Sequence, residues 1–233
     1  MPTFDAGGQA ALAHPTRRGR RQALTPEARL AAEVAALVAA QPMFAPILER
    51  AGPPPLRARE PGFAGLAGII LGQQISIHAA RAIHDRLVAA IGPLTAADFA
   101  GASDATLRTA GLSAGKVRTL RALAEAILGG LDLGGLGALE AEAAIAELVR
   151  LHGVGRWTAE VYLLFALGHA DVFPAGDLAL QEGARLAFAL PERPSEKALR
   201  ALAAPWQPRR GIAARLLWAY YRAVRGLSQA TPA

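Results

Sequence analysis

The chain has 233 residues, 52% of them hydrophobic, and its 25 basic residues against 19 acidic ones give a net charge of +6. That length can bury a real core, as one large domain or two small ones, and the basic balance suits a polyanionic partner without requiring one. Cysteine is absent, which excludes disulfides, zinc-thiolate sites and a cysteine-ligated iron–sulfur cluster in one step.

Met1 to Leu24 lacks the apolar core of a signal peptide. The apolar run at Ile69-Ile70-Leu71 is cut by Gly72-Gln73-Gln74 well before the ~20 residues of a membrane span. A soluble, cytoplasmic protein with no membrane partner is expected. Ala and Leu dominate, β-branched runs are scarce and apolar residues recur at helical spacing, so the fold class is all-α with about ten helices.

In chain order, residues 1–24 form a Gly-, Ala- and Arg-rich tail, read equally as a DNA-touching arm or a solvated terminus. Thr25-Pro26 caps a helix that runs to about Ala40. Ala51-Gly52-Pro53-Pro54-Pro55 is a break, and a helical segment over 62–91 is interrupted at Gly72 to Gln74. Ser103-Asp104 opens a helix ending at Gly111. Ser113 opens the next, whose stripe of Val117, Leu120, Leu123 and Ile127 stops at Gly129-Gly130. Residues 139–150 and 156–167 make two arms of a hairpin. Asp177 stands at the N-cap of a helix over 178–190, Ser195 caps another, and Pro208-Arg209 leads into a last helix ending at Arg225.

The hairpin string Leu151-His152-Gly153-Val154-Gly155-Arg156-Trp157-Thr158-Ala159 carries the most chemistry. Gly153 and Gly155 free its turn of Cβ atoms, and the unpaired N–H groups of the following helix start suit an anion such as a phosphate. A lone G-x-G is more often an αα-corner. The full string, its helix and an aspartate about twenty residues downstream favour function.

Four strings in order carry a resemblance. They are Ile70-Leu71-Gly72-Gln73-Gln74-Ile75-Ser76, Gly111-Leu112-Ser113 with Lys116, the hairpin through Asp177, and Trp206-Gln207-Pro208-Arg209-Arg210 with Trp218. From about residue 40 to 225 the chain resembles the helix-hairpin-helix (HhH-GPD) DNA glycosylase superfamily, and within it the 3-methyladenine DNA glycosylase II family. The resemblance implies a glycosylase domain over 25–233 with no N-terminal β-domain. One helical subdomain would span roughly 73–175 and the other would join the N- and C-terminal segments, with a cleft between them.

It also implies base excision repair by a monomer acting on double-stranded DNA that contains alkylated bases, nucleoid-associated if the source is bacterial. Asp177 would be the catalytic carboxylate. Trp157, Trp218 and Val161 would form the base pocket, Val161 standing where some relatives carry a tyrosine. Gln73 and Gln74 would be the DNA wedge. Gly153, Val154, Gly155 and Thr158 would grip a phosphate, and the main-chain carbonyls of Leu151 and Val154 would hold a structural Na⁺ or K⁺. Bifunctional relatives place a nucleophilic lysine where Trp157 stands. The only lysines here are Lys116 and Lys197, so monofunctional hydrolysis without a lyase step is implied. Asp171 and Trp206 are read as structural.

Overall fold

The computed structural model describes residues 24–56 and 59–227, so the basic tail, apart from Leu24, lies outside the described residues. Among those residues no strand occurs, and the chain is all-α. The helices are α1 (Pro26–Ala40), α2 (Ala45–Ala51), α3 (Phe63–Gly72), α4 (Ile77–Ile91), α5 (Ala96–Gly101) and α6 (Asp104–Thr109). They continue with α7 (Ala114–Leu128), α8 (Ala141–Val149), α9 (Arg156–Phe165), α10 (Leu178–Ala187), α11 (Glu196–Ala203) and α12 (Arg210–Arg225).

Twelve helices replace the ten expected. The two additions, α2 and α5, have seven and six residues, too few for an apolar period to emerge from composition.

The starts follow from side-chain chemistry. Thr25, Ser103, Ser113, Asp177 and Ser195 each accept a hydrogen bond from the backbone N–H three residues on, which satisfies one of the orphan donors of a helix start. Ser76 and Thr95 do the same for α4 and α5.

Packing sorts the helices around two central elements. α12 contacts α1, α2 and α10, while α7 contacts α3, α5 and α6. α9 packs on α8, its hairpin partner, and on α3, and it is tied to α12 by the Arg215 side chain, which donates to the Leu164 carbonyl at 2.7 Å. Its burial is nearly complete, from Thr158 through Phe165. This internal position fixes the helix, so the half-buried Arg156 and Trp157 at its N-terminal end start from a rigid backbone.

Candidate active site

Asp177 ends the connector Val172-Phe173-Pro174-Ala175, which is buried throughout. The turn is closed by the Asp177 N–H donating to the Pro174 carbonyl at 2.9 Å, and the Gln181 side chain donates to the Ala175 carbonyl at 2.8 Å. At the N-cap of α10 the carboxylate meets three donors from three helices. Oδ1 accepts from the Leu180 N–H at 2.8 Å and from the Trp218 indole N–H at 2.9 Å. Oδ2 accepts from the Trp157 indole N–H at 3.1 Å. The N-terminal end of the α10 dipole adds positive potential at the same place. The side chain is half-buried, so it is fixed in direction and still open on one side.

Trp218 reaches Asp177 because α10 and α12 cross closely. A Cβ on Gly183 of α10 would stand 2.8 Å from the Leu217 carbonyl and 3.3 Å from the Tyr221 Cβ. Glycine therefore sets the helix separation that the indole bond needs.

As walls of a base pocket, Trp157 and Trp218 would turn ring faces toward a base. Trp218 is 4% exposed, with its ring tilted against Phe165 at 5.5 Å between centroids. Its N–H edge, not its face, meets the site. Trp157 is half-buried at the second residue of α9. Val161, one turn further, is buried. Trp206 is core, ringed by Phe44, Phe173 and Phe188.

In the hairpin, Gly153 has φ +77°, and a Cβ there would lie 2.0 Å from the Thr119 Oγ1 on α7. Both the backbone angle and the space demand glycine. Gly155 caps α9 with φ −84° and has nothing within 4 Å of a built Cβ. The first α9 hydrogen bond runs from Ala159 N–H to the Gly155 carbonyl, so Arg156, Trp157 and Thr158 have N–H groups with no helical acceptor. Val154 is buried. Its N–H donates to the Leu151 carbonyl at 3.1 Å, which leaves that oxygen a second lone pair suited to a hard monovalent cation.

Thr158 is 3% exposed, and its Oγ1 accepts from the Gln73 side chain at 2.8 Å. The Thr158 side chain therefore faces inward and leaves only its backbone N–H for a phosphate. Gln73 is likewise committed inward. Gln74 is exposed, with φ 60°, a left-handed angle uncommon outside glycine, asparagine and aspartate.

Two sets of contacts carried no sequence signal, although Lys116 itself stands out as one of two lysines. Lys116 Nζ donates to the Leu71 and Gln73 carbonyls at 2.6 and 3.0 Å. Glu160, 1% exposed inside α9, pairs with Arg156 at 2.9 Å and Arg200 at 3.1 Å, and these arginines also bind Glu142 and Glu196. Burial pushes the Glu160 carboxyl up to about 7, against the downward pull of the two guanidinium groups. An acid one turn after Arg156 was the available hint. Asp171 binds the Arg210 side chain at 2.9 and 2.7 Å and accepts from its backbone N–H at 3.2 Å, which fixes the start of α12. No group of three or more metal-binding side chains occurs among the described residues, nor any helix long and apolar enough to cross a membrane.

The chain is similar to a DNA-3-methyladenine glycosylase of Schizosaccharomyces pombe, 37% identical over 48% of this chain and 50% of that protein. A putative DNA-3-methyladenine glycosylase of Bacillus subtilis is 31% identical over 44% of this chain and 34% of its own length. The matched region thus spans half or less of these relatives. Among solved structures, the DNA-3-methyladenine glycosidase of Bacillus halodurans superposes with a TM-score of 0.76 at 32% identity, covering 84% of this chain and 92% of that one. The S. pombe 3-methyladenine DNA glycosylase in complex with abasic DNA gives 0.69 at 26% identity, covering 86% and 99%. Residues 67–208, well over half of the chain, match the HhH-GPD family, and the chain belongs to this superfamily of base excision DNA repair proteins.

Proposed function

We propose that this chain is a monofunctional DNA glycosylase that flips an alkylated base out of double-stranded DNA and hydrolyses its N-glycosidic bond. The observation that carries the reading is the Asp177 carboxylate, oriented by two indole N–H groups and one backbone N–H beside a phosphate-sized turn. The glycosidic bond breaks with its electron pair leaving on the base, and positive charge grows on the sugar. A fixed carboxylate opposite C1′ stabilises that charge without reorganisation. Water adds to C1′ and releases a proton, leaving an abasic site.

Alkylated bases of the 3-methyladenine and 7-methylguanine type already carry positive charge. They leave readily and need no strong general acid. The half-buried Trp157 ring offers them a cation–π surface. The names of the relatives and solved neighbours support the same substrate class.

The hairpin grips one phosphate through the N–H groups of Arg156 and Trp157, and the Leu151 and Val154 carbonyls would hold a monovalent cation, whose charge would favour the phosphate. Among the described residues no lysine is placed as a nucleophile for a lyase step. Trp157 stands after the hairpin glycines, Lys116 is spent on two carbonyls, and Lys197 is exposed on α11. Borohydride should therefore trap no enzyme–DNA adduct, and product sites should break only on alkali or heat.

The deciding experiment is release of bases from methylated duplex DNA, identified by chromatography. We expect 3-methyladenine and 7-methylguanine, well above any 8-oxoguanine from oxidised DNA. Efficient 8-oxoguanine excision with no release from methylated DNA would sink the proposal.

A further inference from the structure

The turn between α3 and α4 is held from two sides. Lys116, on the first turn of α7, places its ammonium on the Leu71 and Gln73 carbonyls at 2.6 and 3.0 Å. Both oxygens lie at the C-terminal end of α3, where carbonyls have no helical donor and a cation is favoured by the dipole. From the other side, Thr158 of α9 takes the Gln73 side chain at 2.8 Å. Between these fixed points the chain turns through Gln74, whose φ of 60° leaves its side chain exposed. A non-glycine residue in that region is strained and persists only where the surroundings impose it.

α7 also braces the hairpin. One turn on from Lys116, Thr119 packs against Gly153. The same helix therefore fixes the Gln74 turn and the phosphate turn. Partial burial lowers the Lys116 ammonium from its ordinary value, so part of its hydration has been exchanged for the two carbonyls.

We propose that Lys116 is a positioning residue: by tethering the end of α3 it holds Gln74 in the strained conformation that projects into the duplex to face the base left unpaired by flipping. This rests on the glycosylase reading above. Gln73, tied to Thr158, braces the turn and does not enter the DNA. Lys116 touches neither the flipped base nor the sugar, and acts only through Gln74.

The test is a double-mutant cycle on the full chain with Lys116→Met, which keeps the stem and removes the donors, and Gln74→Ala. Two readouts are taken. One is single-turnover excision from methylated duplex DNA. The other is fluorescence of 2-aminopurine placed opposite a tetrahydrofuran abasic analogue, which rises when a side chain unstacks it.

Each single variant should lose roughly ten-fold in excision and most of the fluorescence rise, and the double variant no more than either alone, because one contact is removed by both routes. Affinity for undamaged duplex should stay within about two-fold, since the hairpin grip is retained. Lys116→Arg, which restores donors, should recover most of the signal. If Lys116→Met does not fold, Lys116→Ala, which also removes the donors, is read in its place.

Additive losses, wild-type fluorescence in Lys116→Met, or an unchanged excision rate would each overturn the proposal. A wild-type protein that excites the orphan 2-aminopurine but releases no methylated base would overturn the glycosylase reading and leave the Lys116 assignment standing.

Discussion

Gly153→Ala tests how the hairpin turn is built. Two penalties add at this position. The φ of +77° places an L-residue in the left-handed region, at about 1–2 kcal/mol. The new Cβ would also stand 2.0 Å from the Thr119 Oγ1 and 3.0 Å from its Cβ and Cγ2. Thr119 is buried on α7, so it has little room to yield, and overpacking of this kind costs about 1–3 kcal/mol. Together these give roughly 2–5 kcal/mol, or about 5–15 °C in Tm for a chain of this size.

Thr119→Ala removes the two γ atoms but leaves the Cβ at 3.0 Å. In the double variant the steric part should therefore shrink while the backbone part stays. Differential scanning calorimetry on the four proteins of the cycle measures this. The companion variant is Gly155→Asp. Its Cβ meets nothing within 4 Å at φ −84°, and aspartate is a good N-cap. Its Tm should hold or rise slightly, yet its affinity for damaged and undamaged duplexes alike should fall, with a shallower salt dependence. A Gly153→Ala protein within 2–3 °C of the parent, or one that Thr119→Ala does not relieve, would refute the steric account.

Three further outcomes are expected. Asp177→Asn should lose at least ~100-fold in base release with DNA binding nearly intact; its amide oxygen can serve Leu180 and Trp218, but its NH₂ then faces the Trp157 donor, so a small drop in Tm should accompany the loss. Trp218→Phe keeps the ring against Phe165 and deletes only the N–H on Oδ1, so kcat should fall about ten-fold with KM little changed, because one hydrogen bond to a charged group is removed; a change in KM alone would restore the stacking role. The buried Glu160 has a folded value raised to about 7 from the ordinary 4.5, so the native state binds more protons than the unfolded state in between. Its contribution to stability is therefore greatest near pH 4.5 and declines as pH rises to 7. Tm curves of wild type and Glu160→Gln should separate across that window, the wild type losing ground as pH rises, and parallel curves would count against it.

The parts of the fold written locally were legible. Side-chain caps at Thr25, Ser103, Ser113, Asp177 and Ser195 mark helix starts within a few residues of where they lie, because capping needs only the three residues that follow. α5 escaped although Thr95 caps it, since six residues leave no period to read. The site was legible as a set of residue types but not in its orientation. Trp157, Trp218 and Asp177 stand out in the sequence, yet which edge of each indole meets the carboxylate depends on the α10–α12 separation set by Gly183. Lys116 was legible as one of two lysines, but its acceptors lie 43 and 45 residues away in the chain. Gln73 and Gln74, neighbours of one type, diverge because a single left-handed residue turns them to opposite sides.

The first three residues of α9 reach three different partners, just after a glycine that touches none. Gly155 opens to solvent, Arg156 ties α8 and the buried Glu160, Trp157 holds Asp177, and Thr158 holds the Gln73 turn. Each residue along a helix is rotated by about 100° from the last, so these three contacts occupy three sides of one turn. A one-residue insertion after Gly155 would rotate every one of them at once, and no compensating substitution on a single neighbour could restore the set. The same insertion at the exposed Pro191 to Arg193, between α10 and α11, would leave these contacts in register. Length variation in this chain should therefore be tolerated around residues 191–193 and forbidden between 153 and 158, which a library of single-residue insertions screened for resistance to methylating agents would map directly.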